Sequence, residues 1–196
     1  MGQIILFITL LVSLSNNESI IDRVNNYCEK KKGQTFDEII YVSVKNQKMY
    51  VISENSIIKT YPVSTAKKGI GNVKNSDMTP HGLHYIREKH GAKTPLNGRM
   101  IGRVFYGQIA TIYSDTTTSK TDDITTRILW LSGSEKNINK GGNVDSFERY
   151  IYIHGTSEEG KIGTPTSHGC IRMLNKDVIE LYSTTKIGTK VLILDN

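Results

Sequence analysis

A thiol, two imidazoles and a guanidinium fall within nineteen residues of this chain: His154, His168, Cys170 and Arg172, with Gly155 and Gly169 beside them. A thiol attacks carbonyls only as the thiolate, so its free pKa of about 8.5 must fall, or a base must take its proton. A neighbouring imidazole accepts that proton and then holds the charge as an ion pair, with Arg172 adding to the positive field. Glycine next to the thiol lets backbone N–H groups approach a developing oxyanion with no side chain in the way. Thiol, base and oxyanion donors are the requirements of nucleophilic acyl transfer. Two blander readings compete. A cysteine beside a histidine is often packing alone. A zinc site from His154, His168 and Cys170 is short of ligands, because His168 and Cys170 are only two apart and structural zinc takes four ligands in wider pairs. His81 and His84 would sit on opposite faces of a strand, and His90 reads as surface.

The elements that must position these groups are mostly strands. Ile151 and Ile153 alternate with Tyr150 and Tyr152, the pattern of a strand covered on both faces, and His154 is expected to close it. Ile39–Val44, Met49–Ile52 and Ser56–Val63 read as an antiparallel meander, separated by Lys45-Asn46-Gln47 and Glu54-Asn55. Leu83–Ile86, Gln108–Tyr113, Arg127–Leu131, Arg149–His154 and Val191–Leu194 are further strand candidates, and Lys67–Pro80 reads as a loop. The polar stretch Ser114–Thr126 is long enough to be a flap over a site or a solvated hairpin loop. Asn175 is expected to cap a short helix whose stripe is Val178, Ile179, Leu181 and Tyr182, with Gly188 ending the region. A first helix is expected over Glu18–Lys32, with Asn16 or Asn17 as cap and Gly33 as stop. It carries Ile20, Ile21, Val24 and Cys28 at helical spacing, which makes Cys28 an apolar face residue.

Composition bounds the classes. The 196 residues suit one domain, and two cysteines cannot build a disulfide scaffold. The net charge of +6 favours anionic partners, yet the basic residues are scattered apart from Lys30-Lys31-Lys32, so nucleic acid is not expected. The apolar run Ile4–Leu14 is too short to span a bilayer and reads as the core of an export signal, with Ser13-Leu14-Ser15 as its cleavage pattern. The expected organisation is residues 1–17 as signal peptide or membrane anchor, 18–36 as an N-terminal helix and 37–196 as the catalytic domain.

The segment Ser167-His168-Gly169-Cys170-Ile171-Arg172, preceded by His154-Gly155-Thr156, resembles the signature of the L,D-transpeptidase catalytic domain. The likeness continues in Asn175, Asp177-Val178, Leu181-Tyr182 and Gly188-Thr189-Lys190-Val191. Upstream it takes in Tyr41–Ile52, Tyr61-Pro62-Val63-Ser64-Thr65 and Thr79-Pro80-His81-Gly82, and so spans residues 38–195. Ala66, where the family commonly has Gly, and His81, bulky for its turn, depart from the pattern. With no repeat-type wall-binding module, the chain reads as the catalytic domain alone.

The resemblance implies a mostly β, sandwich- or barrel-like domain with a short helix after the catalytic loop and an N-terminal helix. It implies an exported enzyme of the periplasm or cell wall, acting on peptidoglycan stem peptides without metal or cofactor. Cys170 would attack the carbonyl at the L-centre of the third residue and expel D-Ala. An amine then resolves the thioester, a wall-attached protein or a D-amino acid being among the acceptors; water in its place makes a carboxypeptidase. His154 becomes the base, oriented through the Gly155 carbonyl, and the amides of Gly169 and Cys170 serve the oxyanion. His168 and Ser167 support the site by hydrogen bonds. Arg172, Ser167 and Gly155 fall on the substrate-binding side, Arg172 either taking a stem-peptide carboxylate or bracing the loop. A non-catalytic wall-binding module and a zinc-binding module are the remaining alternatives, and membrane contact is expected only through an uncleaved N-terminal segment.

Overall fold

The computed structural model describes residues 20–30 and 33–196. The export segment 1–17, the caps Asn16 and Asn17, and Lys31-Lys32 lie outside the described residues. The elements are helix α1 (20–30), strands β1 (Glu38–Ser43), β2 (Lys48–Ser53), β3 (Ser56–Pro62), β4 (Gly82–His90), β5 (Gly98–Ile101), β6 (Val104–Ile109), β7 (Ile124–Gly133), β8 (Tyr152–Thr156) and β9 (Ile171–Met173), helix α2 (Asn175–Thr184) and strand β10 (Lys190–Leu194). The strands form one mixed sheet in the order β3-β2-β1-β10-β4-β7-β5-β6, with β8 paired to β7 and β9 to β8. Among the described residues the fold is mostly β with two α-helices.

Period-two alternation explains why the sheet is covered on both sides. On β1, Ile40 and Val42 enter the main core while Ile39 and Tyr41 face the opposite way, against Val24 and Cys28 of α1. Strands β2 and β10 divide alike: Met49, Val51, Val191 and Ile193 on one side, Tyr50, Ile52 and Leu192 on the other. Cys28 is thus an apolar face residue, and α1 stops where Gly33, at φ 60°, donates its N–H to Glu29 O at 2.8 Å. Val178 and Leu181 bring α2 onto the main core beneath β7, β8 and β9.

Several boundaries differ from the sequence reading. The strand expected at Gln108–Tyr113 lies at Val104–Ile109, because Gly102 and Arg103, both at positive φ, turn β5 back as β6. Beyond it the chain leaves the sheet, and the Tyr113 N–H bonds Ser157 O at 2.8 Å. The strand expected from Arg149 starts at Tyr152, since Tyr150 sits at φ 56° in a turn closed by its N–H to Phe147 O. His154 therefore lies inside β8 and does not close it. Strand β4 runs four residues past Ile86 to His90, and β5 and β9 had no counterpart in the sequence reading.

Asn175 is the first residue of α2 and not its cap. Its side chain points back into the fold, accepting from Thr125 Oγ1 at 2.6 Å and Thr126 Oγ1 at 2.5 Å and donating to Thr156 O at 2.8 Å.

Candidate active site

Strands β8 and β9 run parallel, with Ile153 opposite Ile171 and His154 opposite Arg172. Ile153, Ile171 and Met173 take the core side, so alternation sends His154, Cys170 and Arg172 to the other face. That face carries an aromatic cluster of Trp130 and Tyr152 against which Cys170 packs. Trp130 stacks on Phe147 at 3.9 Å between centroids and meets Tyr152 edge-on at 5.4 Å. One cavity of about 100 Å³ is lined by Asp122, Ile124, His154, Ser167, His168, Cys170 and Arg172. Five side chains singled out from the sequence thus meet in space.

His154 is 3% exposed. Its Nδ1 lies 2.7 Å from Gly155 O, which can only accept, so Nδ1 carries the proton and Nε2 keeps its lone pair. Burial pulls the imidazole down to about 4, opposed by the Gly155 hydrogen bond. Burial pushes the Cys170 thiol up to about 11, opposed by the backbone N–H of Tyr152, which donates to Sγ at 3.4 Å. Burial thus disfavours the charged form of both groups, which weighs against the thiolate–imidazolium pair expected from the sequence. The thiol itself donates to Tyr150 O at 3.4 Å, and no hydrogen bond among the described residues joins it to the His154 ring.

The turn before Cys170 is held internally. Ser167 Oγ donates to Cys170 O at 2.6 Å and accepts from Gly169 N–H at 3.2 Å. The Gly169 amide, expected at the oxyanion, is thus already engaged. Gly169 sits at φ 130°, and an added Cβ would come within 3.3 Å of Met78 O, so glycine is required there. Its carbonyl accepts from Thr79 Oγ1 at 3.0 Å, and Thr79 Oγ1 accepts from Ala66 N–H at 2.9 Å. The threonine of the Thr-Pro turn thereby ties two loops to the turn before Cys170, and Ala66, fully buried, is part of that tie.

Arg172 is 2% exposed and its guanidinium is already partnered. Nη1 donates to Glu158 Oε2 at 2.8 Å and to Thr166 Oγ1 at 3.3 Å, and Nη2 donates to Asp122 Oδ1. Its backbone exchanges hydrogen bonds with Ser64 at 2.9 and 2.8 Å. Of the two roles considered for Arg172, this geometry is that of a brace, not of a free site for a substrate carboxylate. His168, with its side chain 70% exposed, donates from Nδ1 to Asp122 Oδ2 at 2.9 Å.

Asp122 is the site residue that the sequence reading missed. It lies in the polar stretch that read as flap or loop, and no periodicity marks it. That stretch is tied down: Ser119 N–H donates to Glu158 Oε1 at 2.6 Å and Lys161 Nζ to Thr118 Oγ1 at 2.6 Å. Among the described residues no three or more His, Cys, Asp or Glu side chains are grouped as a metal site. His84 is buried in β4, donating to Gly82 O and accepting from Ser146 Oγ, each at 2.9 Å, away from the Cys170 cavity.

The profile of the L,D-transpeptidase catalytic domain (YkuD) matches residues 37–193. Over 173 residues the chain is 27% identical to YqjB of Bacillus subtilis (strain 168), provisionally named an L,D-transpeptidase, covering 82% of this chain and 73% of YqjB. YkuD of the same strain, named with the same reservation, is 52% identical over 46 residues, 24% of this chain and 28% of YkuD. Among solved structures, the L,D-transpeptidase of Xylanimonas cellulosilytica DSM 15894 aligns at a TM-score of 0.50 and 15% identity, over 82% of this chain and 62% of that one. Bd1075 of Bdellovibrio bacteriovorus aligns at 0.50 and 18%, over 82% of this chain and 48% of that one. Identities this low carry the fold alone, and the chain spans less than two thirds of either solved chain.

Proposed function

Because the chain belongs to the L,D-transpeptidase catalytic domain family, we propose that it is an exported peptidoglycan L,D-transpeptidase whose nucleophile is Cys170 and whose base is His154. The observation that supports this most is the cavity shared by the two side chains, with Nδ1 of His154 committed to Gly155 O. That commitment leaves Nε2 as the proton acceptor. In the proposed reaction the Cys170 proton moves to Nε2 as Sγ bonds the carbonyl carbon at the L-centre of the third stem-peptide residue. The tetrahedral intermediate collapses, the C–N bond breaks, and the departing D-Ala amine takes the proton from His154. An acceptor amine then attacks the thioester and gives its proton to His154, and the thiolate leaves and is reprotonated. The Cys170 N–H is the oxyanion donor in this scheme, and Gly169 N–H joins it only when the Ser167 hydroxyl turns away. The substrate exists only outside the cytoplasmic membrane, which agrees with reading 1–17 as an export signal or anchor.

Incubation with purified tetrapeptide-containing wall fragments, followed by weighing of the products, tests this. Dimers linked between third residues, with D-Ala released, are expected. Trimmed tripeptides alone would mean that water resolves the thioester and the enzyme is an L,D-carboxypeptidase. Cys170→Ala should abolish turnover, and His154→Ala should lower it by about 10²–10⁴. If Cys170→Ala left the products unchanged, the catalytic reading would give way to a wall-binding module. A carbapenem is expected to acylate Cys170, which intact-protein mass spectrometry would detect as a Cys170-dependent adduct.

A further inference from the structure

One carboxylate grips the nucleophile's segment from both sides. Asp122 is remote in sequence from that segment, yet its Oδ2 accepts from His168 Nδ1 at 2.9 Å and its Oδ1 accepts from Arg172 Nη2. These partners stand two positions before and two positions after Cys170. We propose that Asp122 is a positioning residue for Cys170: by holding His168 and Arg172 together it fixes where the sulfur sits in the cavity that it shares with His154. The proposal rests on the reading of Cys170 as nucleophile.

The two arms of this grip are unequal. Arg172 is also held by Glu158 and Thr166 and is buried, so its position survives the loss of one partner. His168 is largely in solvent, and Asp122 is the one side chain to which it hydrogen-bonds among the described residues. Gly169, next along, has no side chain to pack. Of the two arms, the His168 one is therefore the one whose loss leaves the turn carrying Cys170 to its remaining ties through Ser167 and Thr79, and so loosens it. The base of the grip is firm, because Asp123 pairs with Arg99 at 2.8 Å and β7 begins at Ile124. An error of about 1 Å in a reacting group can cost about a hundredfold in rate, so a hold of this kind has catalytic weight without touching substrate.

Charge gives the grip a signature that a purely mechanical hold lacks. The charged and titratable groups facing Cys170 are Asp122, Arg172, Arg149 and Tyr152, with His154 and His168 across the shared cavity; those facing His154 are Arg172 and Asp122, with Cys170 and His168 across that cavity. Asp122 itself faces Arg172, His168 and His154, with Glu158 on the far side of the guanidinium. Removing its negative charge favours the thiolate, so the Cys170 thiol should titrate at lower pH. Removing His168 takes away no carboxylate and should loosen the turn without that shift.

The test uses the full chain in a Cys28→Ala background, leaving one thiol, with Asp122→Asn, His168→Ala and the double variant. Alkylation of Cys170 by iodoacetamide is followed against pH, and kcat and KM are measured on wall fragments. Asp122→Asn should lower kcat by about tenfold to a hundredfold, with KM changed less, and should move the thiol titration to lower pH. His168→Ala, a surface change that leaves the fold intact, should lower kcat with the titration unmoved. The double variant should lose little more than the worse single variant, because both remove one hold. Additive losses, an unshifted titration in Asp122→Asn, or wild-type kcat in both single variants would overturn the proposal. Wild-type protein that alkylates normally but leaves wall fragments untouched would instead sink the transpeptidase reading.

Discussion

At the scale of single residues, the decisive feature is that desolvation disfavours the charged form of both the half-buried thiol and the buried imidazole. Burial holds Cys170 up at about 11 and His154 down at about 4. The thiolate must then be made during the reaction, by proton transfer to a base that stays unprotonated across the neutral range. Alkylation of Cys170 should accordingly climb about tenfold per pH unit from pH 6 to 9 without levelling, since only the thiolate reacts. A plateau below pH 8 in a pH series of iodoacetamide rates would mean a preformed ion pair and would contradict this account. Most of these residues were legible beforehand because β8, the turn and β9 are consecutive, so their chemistry is compressed into His154 to Arg172. The charge state was not legible, because desolvation depends on what other segments cover. Asp122 escaped for the same reason: it is 46 positions from His168 in a stretch with no pattern of its own.

At the scale of elements, the site depends on β8 lying between β7 and β9 at close range. Gly155 makes this approach feasible. A Cβ built there would stand 2.5 Å from Asn175 Oδ1 and 2.9 Å from Thr125 O. Its carbonyl is also the acceptor that fixes the tautomer of His154. Gly155→Ala must therefore push β8 from the Thr125–Asn175 contact and move that acceptor. Folding stability should drop by about 1–3 kcal/mol, as in other overpacked interiors, and turnover should fall more than tenfold as the ring loses its fixed orientation. Urea denaturation and the wall-fragment assay measure the two effects; a variant with wild-type turnover would show that the Gly155 carbonyl is dispensable. The strands around this point were read unevenly from sequence. β1, β2 and β10 stand out as apolar runs because both their faces meet apolar partners, whereas β3 is largely exposed and is marked by the turn before it. Strand β9 has three residues and β5 four, too few for a period to appear; β5 exists through the tight hairpin to β6 and β9 through parallel pairing with β8 across the intervening loop. Asn175 looked like a helix cap by type and position, but its side chain is spent on Thr125, Thr126 and Thr156, a use that only the folded arrangement reveals.

At the scale of the whole molecule, two buried histidines couple the site to the stability of the fold. His84 in β4 and His154 in β8 are each held down at about 4 by burial, against an ordinary value of 6.5. Between those values the unfolded chain binds more protons than the folded one, so stability rises with pH through this window and is lost as pH falls from 6.5 toward 4. Each histidine is worth on the order of 3 kcal/mol across the window, a large share of the 5–15 kcal/mol typical of a domain. Asp122 does not add to this, because its carboxyl is held below the ordinary carboxylate value of 3.8 and so acts at lower pH. Asp177, whose carboxyl burial raises, opposes the trend near its acid end. The net charge of +6 works in the same direction as the histidines, since each added proton increases self-repulsion in the compact state. The urea midpoint should therefore fall steadily from pH 6.5 to 4, and His154→Asn, lacking one of the two groups, should show about half that dependence. A wild-type midpoint flat across this range would mean that the imidazoles are reached by water in the folded chain. In that case the desolvation argument for Cys170 and His154 would fail with it.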